Sequence, residues 1–147
     1  MADLSITAAD VLSSQPGSAQ TGQAGVNVTQ GQVVYNNTAS SPNLLYLASA
    51  SSSASAIVAG IAVNAGDTGQ PLQYIPFDPA LILGAAGSAG EVIYLSQNAG
   101  NITATAGDVT GSSYLVVLGQ CITSGTASTA VWNFRPLTTN AATLAQL

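Results

Sequence analysis

This sequence predicts an all-β fold, a small β-sandwich or barrel of short strands, and three observations predict it. Runs of Val, Ile, Leu and Tyr are short and bounded by Gly, Asn, Ser and Asp. Stretches with helical periodicity are almost absent, and one strand-turn unit is written twice. A chain of 147 residues is one domain, long enough to bury a core without disulfides or metals.

The candidate strands, in order, are VNV from Val26, QVVYNN from Gln32, NLLYLA from Asn43, IVAGIAVN from Ile57 and PLQYIPF from Pro71. They continue with LILG from Leu81, EVIYLS from Glu91, NITAT from Asn101, SYLVVLGQCIT from Ser113 and TAVWNF from Thr129. Close spacing and Gly-rich turns favour a sandwich or barrel over a layered α/β fold. The exception is ASASSSASA from Ala48, whose small residues suit either a flexible loop or one alanine-rich helical turn; the expectation is a loop with a short helix. The ends of the chain are polar and weakly patterned. The expected organisation is therefore an N-terminal arm over 1–22, a β-domain over 23–135 and a C-terminal tail over 136–147. Both arms are expected to order only on binding a partner.

The duplication is read from GQVVY at Gly31 and GEVIY at Gly90, 59 positions apart. At the same offset VAGIAVNAG from Val58 falls on VLGQCITSG from Val117, so Gly60 meets Gly119 and Gly66 meets Gly125. The pseudo-repeats span about 26–66 and 81–125. In each, the leading glycine permits a turn with positive φ. The mid-strand glycine marks a bulge or a close backbone approach. Alternation puts Val33 and Tyr35 on one face, as it does Val92 and Tyr94.

Val34 and Ile93 place apolar groups on the second face as well, and LLYL at Leu44–Leu47 and YLVVL at Tyr114–Leu118 are apolar throughout. Such strands need cover on both sides. Face-to-face packing of the two halves supplies part of it. The remainder points to a homo-oligomer.

Charge narrows the function. Charged residues are 5% of the chain, against roughly 25% in typical domains. Arg135 is the only base, and there is no lysine or histidine. Nothing here neutralises phosphates, so nucleic acid and anionic membrane surfaces are not expected partners. The opening MADLSITAAD has neither a basic segment nor an apolar h-region, and the expected site of synthesis and use is a cytoplasm or something assembled there.

Familiar catalytic sets are missing. Without histidine or lysine there is no Ser-His-Asp triad, Schiff base or imidazole metal site. Cys121 lies in an apolar run and reads as a small core residue. Paired carboxylates for a glycosidase would come from Asp67, Asp78, Glu91 and Asp108, but Asp67 and Asp108 sit in turn contexts where aspartate caps its own backbone. No Asp-x-Asp-x-Asp loop supports calcium, and no Gly-x-Gly-x-x-Gly supports a nucleotide. The expectation is no enzyme, no metal and no cofactor. AVWNFRP at Ala130–Pro136 holds the only Trp and the only base. It reads equally as an interface anchor, with Trp132 and Phe134 on one face and Arg135 at the end, or as a closing core strand with a capping arginine.

The Gly-(Gln/Glu)-Val-(Val/Ile)-Tyr runs, AGIAVNAGDTGQPLQYI at Ala59–Ile75, GEVIYLSQNAGNITATAGDV from Gly90 and LVVLGQCITSGT from Leu115 together resemble the small head decoration (cement) proteins of tailed bacteriophages, over roughly residues 22–135. The resemblance implies a structural virion protein. It would be a compact β-domain, often a trimer, on the outer capsid surface over junctions of the major capsid protein, bracing the shell. It brings no catalytic residues. It implies an N-terminal arm on the shell, here ADLSITAADV from Ala2 with Leu4 and Ile6 as alternating contacts. The expected capsid or subunit contacts are Leu4, Ile6, Val34, Ile93, Trp132, Phe134 and Arg135. The ASASSSASA insertion and the tail from Leu137 depart from some members. The alternative is a trimeric tail-fibre, spike or collar component with a receptor-binding or connector role.

Overall fold

The computed structural model describes residues 3–39, 44–109 and 113–136. Ten strands form among them: β1 (Gln20–Gln23), β2 (Val33–Asn37), β3 (Leu44–Leu47), β4 (Val58–Ala62), β5 (Pro71–Ile75), β6 (Asp78–Ile82), β7 (Val92–Leu95), β8 (Ile102–Thr103), β9 (Val117–Thr123) and β10 (Val131–Phe134). They make two five-stranded sheets, ordered β1-β5-β4-β2-β3 and β6-β10-β9-β7-β8, with every strand pair antiparallel. The second order is the first advanced by five strands. The fold is all-β, and its two sheets share one topology.

The likeness extends to register. In the first sheet Val33, Val34 and Tyr35 face Ile61, Gly60 and Val58, with a bulge between Val34 and Tyr35. In the second, Val92, Ile93 and Tyr94 face Gln120, Gly119 and Val117, with a bulge between Ile93 and Tyr94. Each of these residues is offset by 59 from its counterpart. Loop bonds repeat too. Gly31 N–H donates to the Ala62 carbonyl at 2.9 Å and Gly90 N–H to that of Cys121 at 2.8 Å, while reciprocal bonds join Val28 to Gly66 and Gly87 to Gly125.

The glycines at matching positions are required by the backbone. Gly31 and Gly90 have φ of 87° and 94°, where a side chain is strained. A Cβ on Gly60 would lie 2.5 Å from the Ile75 carbonyl oxygen, and one on Gly119 would collide with that of Asn133. The central glycine therefore serves both a bulge and a close approach to the next strand.

Strand alternation divides the apolar residues between two clusters. Val33, Ile61 and Ile75 from the first sheet meet Leu81, Ile93, Leu95, Leu118, Trp132 and Phe134 from the second in the main core. Val34, Leu45, Ala62 and Leu72 point to the other face of the first sheet, where Ala24 and Val28 cover them. The cover expected from a second subunit for Val34 and Ile93 thus comes from the chain itself. For Val34 the segment after β1 crosses back over the sheet, with Gly25 N–H donating to the Leu45 carbonyl at 2.8 Å, whereas Ile93 lies in the main core.

Several expected elements differ. VNV at Val26 is no strand; Val28 makes only an isolated bridge to Gly66. β6 begins at Asp78 rather than Leu81, and β9 at Val117 rather than Ser113. ASASSSASA forms successive turns and no helix, because its serines bond locally and across. Ser49 Oγ–H donates to the Gln97 carbonyl and Ser55 Oγ–H to that of Ser49, each at 2.7 Å. Its Ala48, Ala50 and Ala56 are buried in the main core. The expected arm over 1–22 contains β1 and packs on its own chain; Met1 and Ala2 lie outside the described residues, as does the expected tail from Leu137 onward.

Candidate interaction surface

The N-terminal segment is the first feature that positions charge. Leu4 N–H donates to the Ile102 carbonyl at 2.7 Å, Thr7 N–H to that of Gly84 at 2.7 Å, and Leu12 and Ile82 exchange bonds of 2.9 and 3.0 Å. The segment is therefore a strap from one outer strand of the second sheet, β8, to the other, β6. Leu4 and Ile6 pack half-buried against the main core, and Val11 is buried.

A carboxylate fixes each end. Asp3, on the strap, accepts from Ser96 Oγ–H at 2.6 Å, Asn98 Nδ2–H at 2.8 Å and Asn101 Nδ2–H at 2.9 Å. Asp78, on β6, accepts from the Ser13 and Ser14 hydroxyls, from Ser14 N–H at 2.8 Å and from Ala80 N–H at 3.0 Å. Burial alone would raise both acids. For Asp78 the bonds from Ser14, Ala80 and Ser13 outweigh it, and for Asp3 those from Asn98, Ser96 and Asn101, with the positive chain terminus, do the same. Both carboxyls sit below the usual range.

Cys121 is buried, and burial first, then the charge of Glu91, pushes its thiol up. That is the opposite of what a nucleophile or thiolate ligand needs. Among the described residues no three His, Cys, Asp or Glu gather where a metal would sit.

The expected contact residues divide sharply. Val34, Ile93, Trp132 and Phe134 are wholly buried within this one chain, and Trp132 Nε1–H donates to the Ala85 carbonyl at 3.3 Å. Of the two readings of AVWNFRP, the closing core strand describes Trp132 and Phe134. Arg135 alone of the seven is exposed. Its guanidinium carbon stands 5.8 Å from the centroid of the Phe77 ring, and its backbone N–H donates to the Leu118 carbonyl at 2.7 Å. Phe77 is 41% exposed. Pro76 and Pro136 complete a cleft of ≈ 360 Å³ around the pair. A second cleft, of ≈ 400 Å³, lies against Tyr35, Ile57 and Val58.

Sequence reasoning missed Phe77, Asp3 and the anchoring role of Asp78, which it weighed only as a member of a carboxylate pair. Phe77 had a signal: in IPFDP it stands beside Pro76 and two residues before Pro79, so it cannot continue a regular inner strand. Asp3 had none, since its partners are more than 90 residues away in the chain. Comparison with protein-family models, curated proteins and solved structures returned no match.

Proposed function

We propose that this chain is a structural binding protein, and specifically a decoration protein that clamps the outer surface of a tailed-bacteriophage head at junctions of the major capsid protein, as a trimer. The observation that carries the structural reading is the use made of the reactive groups: Asp3 and Asp78 are saturated by hydrogen bonds that pin the strap, and Cys121 is packed away. The resemblance of the Gly-(Gln/Glu)-Val-(Val/Ile)-Tyr runs to cement proteins supports the particular assignment, as does a chain with one basic side chain and a net charge of −5, suited to the outside of a shell and away from DNA. The mechanism is linkage. A protein that binds only the expanded shell stabilises that state by mass action, and many copies add their effects.

The test mixes purified protein with expanded capsids lacking it, followed by co-sedimentation and shell melting. Saturable binding with a raised melting temperature is the expected result, and stoichiometry then gives the lattice site. Absence of binding sinks the cement reading and moves the tail-fibre, spike or collar alternative to the front.

A further inference from the structure

We propose that Arg135 and Phe77 form a docking notch for a partner protein segment that carries a carboxylate beside an apolar side chain. The inference deepens the shell-binding reading and, in its capsid arm below, rests on it.

Arg135 is the only basic side chain in a chain of net charge −5, so it is the one side chain here that attracts a carboxylate. Among the described residues its guanidinium forms no ion pair and donates no hydrogen bond. The residue is exposed over an aromatic ring, and a carboxylate matches its planar fork of five N–H donors with two parallel bonds. The residue is anchored at its backbone. Its backbone is tied to Leu118, the ring of Phe77 lies beneath it, and prolines at 76 and 136 stiffen both flanks. A fixed donor loses less freedom on binding than a loose one.

Phe77 defines the rest of the ligand. It is one of four large apolar residues left exposed among the described residues, and it is the one beside the cation. A partner gains from covering it only by bringing an apolar group next to the carboxylate. Polyanions are disfavoured, because one cation amid net negative charge neutralises a single phosphate at most. A single carboxylate on a neutral apolar segment meets far less repulsion from that net charge than a polyanion does.

The experiment has two arms, both on the full chain. In the first, isotopically labelled protein is titrated with acetyl-Leu-Asp-Leu-amide or its asparagine analogue, and the Arg135 Nε–H and Phe77 ring resonances are followed by NMR. Saturable shifts at both groups with the aspartyl peptide only, lost in Arg135→Gln, are expected. No shifts, or equal shifts with both peptides, overturn the proposal. In the second arm, wild type, Arg135→Gln and Phe77→Ser are compared for binding to expanded capsids. Both variants are expected to bind at least about tenfold more weakly, with melting of the free protein little changed for Arg135→Gln. Unchanged capsid affinity overturns the notch and leaves the shell reading standing. If wild type binds no shell but the peptide arm succeeds, the shell reading fails and the notch stands. If Arg135→Gln instead dissolves a homo-oligomer, the occupant is a second copy of this chain, and the proposal of a different partner is overturned.

Discussion

Replacing Asp78 by Ala should loosen the strap without touching the apolar core. The carboxylate is completely buried and accepts four hydrogen bonds, three from the strap residues Ser13 and Ser14 and one from Ala80. Bonds to a charged acceptor contribute about 1.5 kcal/mol each at the low end, or about 6 kcal/mol together if none were replaced. The strap donors are only part-buried and regain water once released, so the net loss is about 3 kcal/mol. For a domain of this size that lowers Tm by about 6–12 °C. Calorimetry at pH 7 measures it, and hydrogen exchange should show the Leu12 and Ile82 amides opening first. The acid limb follows from the same geometry. A carboxyl held low in the folded state contributes stability that is complete above its unfolded pKa and is lost as pH falls through the folded value. Wild type should therefore lose stability below about pH 4, and Asp78→Asn should show a flatter acid limb. A Tm within about 2 °C of wild type for Asp78→Ala, or an unaltered acid limb in Asp78→Asn, would refute the assignment of Asp78 as the anchor.

Three further outcomes follow from the packing. Gly60→Ala drives a Cβ to 2.5 Å from the Ile75 carbonyl oxygen, and denaturant unfolding should show a loss of about 2–4 kcal/mol, whereas Gly107→Ala, with nothing within 4 Å, should change stability by about 0.5 kcal/mol or less. Trp132→Ala empties the centre of the main core and should cost about 3–5 kcal/mol by the same measurement. Cys121, 2% exposed, should resist a thiol reagent in the native protein and react fully once unfolded.

What was legible in the sequence is what local rules govern. Val33 and Val34 face opposite clusters because strand alternation leaves no choice. Gly31, Gly60, Gly90 and Gly119 announced turns and bulges because other residues do not fit there. β1 was illegible: Gln20–Gln23 reads QTGQ, without an apolar residue, and it is a strand because its backbone pairs with β5 and its polar side chains suit an outer edge. The placement of Trp132 was open because strand patterning states that a residue is apolar and not which surface covers it. The apolar residues on both faces of β2 do not say where their cover comes from, and for Val34 it arrives from Ala24 and Val28 within the chain.

The two copies of the unit differ where their edges close, and that difference gives the strap its place. In the first copy the chain after β1 returns directly to β3: Ala24 bridges Leu45 in parallel, and Gly25 N–H donates to the Leu45 carbonyl. The counterpart of Gly25 at the same offset is Gly84, and among the described residues it forms no such bond to β8. Its carbonyl instead accepts from Thr7 N–H, while the β8 carbonyl of Ile102 accepts from Leu4 N–H. The strap therefore stands between two elements that touch each other in the first copy. β8 is only two residues long and offers too little backbone to close the second sheet alone. Backbone groups left open at a sheet edge are a liability for pairing with other chains. The second sheet meets that liability with residues 3–14, and the carboxylates at Asp3 and Asp78 fix the two ends of the arrangement. The two sheets share one topology, and the N-terminal segment makes good the closure that the second one lacks.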